Sequence, residues 1–182
     1  RILFNQTLPS DFPFINRQLK SSDLDDLITK LIKRYGIETT PVTLDKIKRF
    51  GFEYATKSGI SWGMDDLQIP PDKPAFVGEA EKEIAAIRAQ YGRGLLTDKE
   101  RYDRTIEVWQ RVVNQVTKRV SESLDPQGPI FAMMDSKARG QLTQIRQMAG
   151  MRGLVTNPAG RIIDLPVLSS YKEGLSVLEF FI

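Results

Sequence analysis

Two heptad runs of apolar residues, joined by a short link, restrict the fold of this chain more than any other feature. The first run contains Val77, Ala80, Ile84, Ile87 and Tyr91, which recur at spacings of 3 and 4 residues. This spacing is typical of helices that pack along a seam. The second run has the same spacing and consists of Tyr102, Ile106, Trp109, Val113, Val116 and Val120. Because the link is short, the two helices must lie antiparallel.

The link itself carries signals for the end of one helix and the start of another. Gly92 and Gly94 are typical of a helix end, and Thr97 with Glu100 forms the pattern of a capping box. The sequence therefore predicts a hairpin with helices over about residues 75–91 and 98–123. Its tip is predicted at Gln90–Arg101.

Two interpretations of this hairpin remain open. It could be part of a bundle core, which is the usual fate of a two-helix pair. Alternatively, it could project and present its tip, because the apolar seam is one residue wide and the other faces are charged. In that case Leu95 and Leu96 would be exposed contact residues.

The remaining segments predict a mainly α fold with irregular loops, in which the antiparallel hairpin projects from small helical subdomains. One helix is expected from Ser22 or Asp23 to Gly36, and a second from Thr43 with Tyr54 facing inward. Between them and the hairpin, residues 58–74 are expected to be loop or extended chain. After the hairpin we expect a short helix over 141–149, a turn at 156–160 and a strand-like segment over 161–167.

The composition excludes several classes of site. The 182 residues include no Cys and no His, so disulfides, thiol nucleophiles, most zinc sites and histidine acid–base chemistry are excluded. No apolar run is long enough to span a membrane, and a cytoplasmic location is expected. Asp65 and Asp66 are the one tempting carboxylate pair, but adjacent residues rarely point the same way, so we interpret them as loop or capping residues.

Positive charge concentrates in one stretch, from Met133 to Arg161. Its single acid is Asp135, and its five cations are Lys137, Arg139, Arg146, Arg152 and Arg161. Glycines between them would let backbone amides and guanidinium groups approach a phosphate. A solvated basic surface is the competing interpretation, and no Walker-type or Rossmann-type glycine spacing distinguishes the two.

Long motifs along the chain resemble the β′ subunit of bacterial RNA polymerase. They are RILFNQTLP, GFEYATKSGISWGMDDLQIP, GLLTDKERYDRTIEVWQRVVNQVTKRV and the segment from Asp135 to Ile182. The resemblance covers nearly the whole chain. It implies that residues 1–70 belong to the pore domain, 71–132 to the funnel domain with its rim-helix hairpin, and 133–182 to the F-loop region and the start of the bridge helix.

The resemblance also implies roles for particular residues. The arginine of the family's Ala-Arg-Gly triplet lies near the incoming nucleoside triphosphate, and Arg139 is the matching position here. Lys137 stands where the family usually has glycine, so it is either strained, in an ordinary conformation, or a second phosphate-facing cation. The implied F-loop positions are Gly150, Met151, Arg152, Gly153 and Pro158. The implied factor-docking tip comprises Tyr91, Arg93, Leu95, Leu96, Glu100, Arg101, Asp103 and Arg104.

Further expectations follow from the same resemblance. The parent enzyme is a nucleotidyltransferase that uses Mg²⁺, but the family's Asn-Ala-Asp-Phe-Asp-Gly-Asp motif is absent from this sequence, so the chain alone is expected to be inactive and to hold no cofactor. Expected partners are the β, α and ω subunits, Gre-type and DksA-type factors, nucleoside triphosphates, DNA and RNA, with no membrane. The chain reads as a piece of a longer protein, nucleoid-associated in bacteria, and a split plastid-type subunit remains open. The alternative is a stand-alone helical interaction module with a basic patch.

Overall fold

The structure, a computed structural model, describes residues 1–137 and 139–182. In this part of the chain eight α-helices and one 3₁₀ turn at Met64–Asp66 are connected by loops, which confirms the mainly α class. The described residues form two compact units, one of residues 1–62 with 132–139 and one of residues 63–131 with 140–182. The helices are α1 Ile2–Asn5, α2 Ser21–Tyr35, α3 Thr40–Ser58, α4 Lys73–Gly92, α5 Asp98–Ser123, α6 Pro129–Asp135, α7 Leu142–Ala149 and α8 Val177–Phe181.

The first unit has a small core between α2 and the N-terminal segment. Leu8, Leu27 and Leu31 are buried, with six partly buried apolar side chains around them. Helix α2 ends before Gly36, as predicted. Helix α3 begins at Thr40 rather than at Thr43, because Pro41 fits the first turn of a helix, where its missing N–H has no partner to lose.

The C-terminal half of α3 is less buried than its sequence pattern predicted. Tyr54 was expected to face inward, yet it is 38% exposed, and Phe52 is 69% exposed. Tyr54 instead stacks on Phe50, with 4.6 Å between the ring centroids. The described contacts of this unit therefore cover only the first half of α3.

The second unit contains the predicted hairpin. Helices α4 and α5 pack against each other, with Ala80, Ile84 and Ile87 of α4 buried. The predicted capping box is present, because the Glu100 N–H donates to Thr97 Oγ1 and the Thr97 N–H donates to Glu100 Oε2. The predicted hairpin and its predicted capping box are therefore both confirmed.

The apolar face of α5 is wider than the predicted one-residue seam. Beside the seam, Thr105, Val108 and Val112 are also buried, because α5 packs on α7 as well as on α4. At 100° per residue these three form a second stripe next to Val113 and Val116. The narrow-seam expectation was therefore wrong, and α5 is a central helix of its unit.

The chain after α7 folds back along α5 as a long loop. Two isolated antiparallel bridges hold its arms, Gly153 with Val167 and Thr156 with Ile162. The predicted turn is present, with the Gly160 N–H donating to Asn157 O at 2.9 Å. The strand-like segment 161–167 contributes only these bridges and forms no strand in the described residues. We call residues 150–167 the α5 loop.

None of the helices in the described residues combines the length and apolar character that a membrane crossing requires.

Candidate functional site

The five cations of the basic stretch have different surroundings. Lys137 and Arg139 belong to the first unit, whereas Arg146, Arg152 and Arg161 belong to the second. Arg139 is exposed and makes no ion pair with any carboxylate of the described residues. Its guanidinium is available to an anion.

Lys137 has a left-handed backbone, with φ 57°, and is the single non-glycine residue of the described chain with positive φ. For a residue with a Cβ this conformation costs about 1 kcal/mol relative to glycine. The expected alternative of a strained backbone is therefore the observed one. Its side chain is exposed, and nearby Asp135 is neutralised by Lys20, whose Nζ lies 2.7 Å from Asp135 Oδ1.

Arg146 faces inward. Its Nη1 donates to Met151 O at 3.1 Å and to Arg152 O at 2.9 Å. Burial lowers the pKa of this guanidinium below its ordinary value. Of the two interpretations left open for the basic stretch, neither a phosphate-facing group nor a solvated surface describes Arg146, because its guanidinium bonds the turn that follows α7.

The other two cations of the second unit are also partly engaged. Arg161 stacks over the Tyr102 ring, with 4.6 Å between its Cζ and the ring centroid. Arg152 is half-buried, and its backbone N–H, rather than its guanidinium, donates to Ser169 O. Of the five cations, Lys137 and Arg139 are thus the best placed for a ligand, since both are exposed and neither side chain makes an ion pair or ring contact within the described residues.

At the hairpin tip most of the predicted docking residues are exposed. Leu95 is 68% exposed, whereas Leu96 is half-buried, so the expectation that both leucines are exposed holds for Leu95 alone. Arg101 is half-buried too. The exposed tip residues are Tyr91, Arg93, Leu95, Glu100, Asp103 and Arg104.

Arg101 makes contacts that the sequence did not indicate. Its Nη1 donates to Asp164 Oδ2 at 2.9 Å, and its Nη2 donates to Asp98 Oδ1 at 2.9 Å. Its Cζ lies 5.6 Å from the Tyr91 ring centroid. The hydrogen bond that Arg101 donates to Asp164, followed by the one to Asp98, raises the pKa of Arg101. Asp164 is 63 residues away in the chain, so local sequence carries no signal for the pair.

The predicted F-loop residues form the base and turn of the α5 loop. Met151 is fully buried, and Pro158 in the turn is exposed. A Cβ added at Gly150 would stand 2.7 Å from Val116 Cγ1, and one added at Gly153 would stand 2.9 Å from Val113 Cγ2. Both glycines are therefore required for close packing on α5, and Gly153 also has φ +90°.

Two glutamates that the sequence analysis missed hold the chain after the α5 loop. Glu173 accepts from the Ser170 N–H at 2.7 Å and pairs with the buried Lys73. Glu179 accepts from the N–H groups of Leu168 and Ser169, each at 2.9 Å. Partial burial would raise the pKa of Glu179, but bonds from the N–H groups and hydroxyls of Ser176 and Ser169 hold it at about 2. The Ser-x-x-Glu spacing of Ser176 and Glu179 was the available signal.

Asp66 has a capping role and Asp65 lies beside it in the 3₁₀ turn, which agrees with their interpretation as loop or capping residues. Asp66 Oδ2 accepts from the Gly63 N–H at 2.7 Å, at the start of the 3₁₀ turn. Within residues 1–137 and 139–182 no group of three or more Asp and Glu side chains could hold a metal ion.

Comparison with known proteins gives consistent matches along the chain. Residues 1–67 match the family described as RNA polymerase Rpb1, domain 3, and residues 96–174 match RNA polymerase Rpb1, domain 4. Proteins named DNA-directed RNA polymerase subunit beta′ match over all 182 residues. Those of Desulforudis audaxviator and Dehalococcoides mccartyi are each 44% identical, and that of Heliobacterium modesticaldum is 38% identical. The chain spans 16%, 14% and 15% of these relatives, respectively.

Proposed function

The chain belongs to the family of RNA polymerase β′ subunits, and from this premise we propose that it works as one section of a DNA-directed RNA polymerase. The observation that carries the proposal is the match to β′ subunits over the full 182 residues. In this proposal residues 1–70 form part of the pore domain, 71–132 form the funnel domain with its rim-helix hairpin, and 133–182 contain the F-loop region and the start of the bridge helix. The assembly with β, α and ω subunits, DNA and RNA would be cytoplasmic and, in the cell, nucleoid-associated.

We propose that Arg139, with Lys137, contacts the triphosphate of an incoming nucleotide in the secondary channel. The exposed guanidinium of Arg139 supports this role, because a planar fork can donate two parallel hydrogen bonds to one phosphate. Lys137, two residues before Arg139, would add a second positive charge. Its backbone keeps the left-handed conformation of the loop despite the strain.

In this role the two cations bind and orient; they do not perform the chemistry. Nucleotidyl transfer requires in-line geometry and charge neutralisation at the reacting phosphate, which two metal ions supply in such enzymes. The carboxylates described here do not fit a metal site, since Asp66 is committed to Gly63 and Asp65 is its neighbour in sequence. We propose that the Mg²⁺ ligands lie elsewhere in the parent subunit, so this chain by itself would be inactive.

We also propose that the exposed hairpin tip docks proteins that enter the secondary channel, of the Gre and DksA types. A large apolar side chain that is 68% exposed at Leu95 supports this, together with the charged residues around it. Leu96 is half-buried and would stabilise the tip itself.

Charge reversal tests the phosphate contact. In the assembled polymerase, Arg139→Glu is expected to raise the apparent KM for nucleoside triphosphates or slow addition by about 10- to 100-fold, as loss of a charge-assisted hydrogen bond predicts. Lys33→Glu is the matched control, because Lys33 is also exposed and unpaired among the described residues. Unchanged single-nucleotide kinetics in the Arg139 variant would remove its assigned role.

A separate substitution tests the tip. Leu95→Asp is expected to weaken binding of a purified Gre-type or DksA-type factor at least fivefold, because a buried apolar contact would become a desolvated charge. Basal elongation should stay unchanged. Equal affinity of the factor for both enzymes would contradict docking at this residue.

A further inference from the structure

The α5 loop lies against α5 along most of the helix. At its base Gly150 packs on Val116 and Val120, and Gly153 packs on Val113. At its far end the Tyr102 hydroxyl donates to Ile162 O at 2.8 Å. The loop thus reaches from the middle of its unit to the first turn of α5, next to the hairpin tip.

The contacts at the two ends differ in kind. The base is held by close packing on glycines and by the paired hydrogen bonds between Gly153 and Val167, at 2.8 and 2.9 Å. The far end is held by polar contacts, and the Arg101–Asp164 pair is the one with two charges. Such contacts break at lower cost than the packed base, so the far end can open while the base stays closed.

Arg101 also belongs to the tip. It lies over the ring of Tyr91, the last apolar residue of the α4 seam, and it is bonded to Asp98 in the first turn of α5. One guanidinium therefore contacts the end of α4, the start of α5 and the α5 loop. Its side chain is 20% exposed, so water competes only partly for its hydrogen bonds.

We propose that Arg101 is a positioning residue that couples the hairpin tip to the α5 loop, so that a change at one alters the opening of the other. The coupling is reciprocal, as any linkage between two local equilibria must be. A protein that displaces Arg101 while docking at the tip would loosen the loop, and a loop pulled away would free the tip.

Hydrogen exchange in the assembled polymerase tests this coupling without any use of substrate or docking factor. The reporters are the Asn157 N–H, bonded to Arg161 O, and the Ile163 N–H, bonded to Val155 O. Arg101→Ala and Asp164→Ala are each expected to speed exchange at both reporters about three- to tenfold, as loss of a partly exposed charged bond predicts. The double variant should be no faster than either single variant, because both remove one interaction.

Two comparisons separate coupling from general destabilisation. The Gly153 N–H at the base of the loop should keep its rate, and Asp98→Ala, which removes only the contact within α5, should leave both reporters unchanged. In the reciprocal direction, Asp164→Ala should speed exchange of the Gly94 N–H, which donates to Tyr91 O at the tip. The proposal is overturned by unchanged reporters, by an equal rise at Gly153, by additive effects in the double variant, or by an unchanged Gly94.

Discussion

The residues before Gly140 and those after it use their positive charges in different ways. Before it, Lys137 and Arg139 are exposed, and Lys137 has a strained backbone. After it, Arg146 bonds two carbonyl oxygens and Arg161 stacks on Tyr102. The sequence presents these cations as one basic stretch. Cations that are free for a ligand and cations that stabilise the fold can therefore follow one another within about 25 residues.

The largest expected effect is at Arg146. Replacement by Met would leave Met151 O and Arg152 O without their partner, which should lower the free energy of unfolding by about 2–3 kcal/mol. Arg139→Met is the control and should change it by less than about 0.5 kcal/mol. Chemical denaturation of the chain measures both. Equal losses of unfolding free energy in the two variants would contradict the difference proposed between the two regions.

The next largest effect is a pH dependence of the unfolding free energy, which comes from Glu179 in the region after Gly140. Glu179 has a pKa of about 2 in the folded chain against an ordinary value of 4.5. Because the folded pKa is depressed, its stabilisation is complete above about pH 4.5 and is lost as pH falls toward 2; allowing for partial exposure, it amounts to about 2 kcal/mol.

Glu179→Gln tests this directly. The difference in unfolding free energy between the parent chain and the variant should shrink as the pH is lowered from 6 to 3, because the unfolded parent binds a proton at Glu179 in this range while the folded parent does not. A difference that stays constant over this range would show that the carboxylate is not held in its charged form by Ser169 and Ser176.

The smallest expected effect is a stabilisation before Gly140. Lys137→Gly should raise the unfolding free energy by about 0.5–1 kcal/mol, because glycine relieves the positive φ at this position. Gly160→Ala, at φ +83° in the α5 loop with open space around it, should have the opposite sign. Thermal denaturation of both variants checks the pair. A destabilised Lys137→Gly would mean that the lysine side chain stabilises the loop.

The sequence predicted those parts of the molecule that depend on neighbouring residues. The hairpin, its Thr97–Glu100 capping box and α7 follow from spacing and from local hydrogen-bond patterns, which act within a few residues. The β′ family was likewise predictable, because its motifs extend along the chain.

The direction of each long side chain was not predictable. Arg101 meets Asp164 across 63 residues, and Arg146 faces inward although it lies in the most basic stretch. The second packed side of α5 was missed from the sequence, although Val108 and Val112 stand at helical spacing beside the seam; only Thr105 of that stripe reads as polar. Tertiary contacts decided each of these outcomes.

We propose that Arg139, and not the cations of the α5 loop, contacts the nucleotide phosphates. The most direct measurement compares the apparent KM for nucleoside triphosphates of assembled polymerases that carry Arg139→Gln or Arg161→Gln. We expect an increase of about tenfold for Arg139→Gln and less than about twofold for Arg161→Gln, since only the first removes a free guanidinium. An unchanged KM for Arg139→Gln, or an equal increase for Arg161→Gln, would contradict the account.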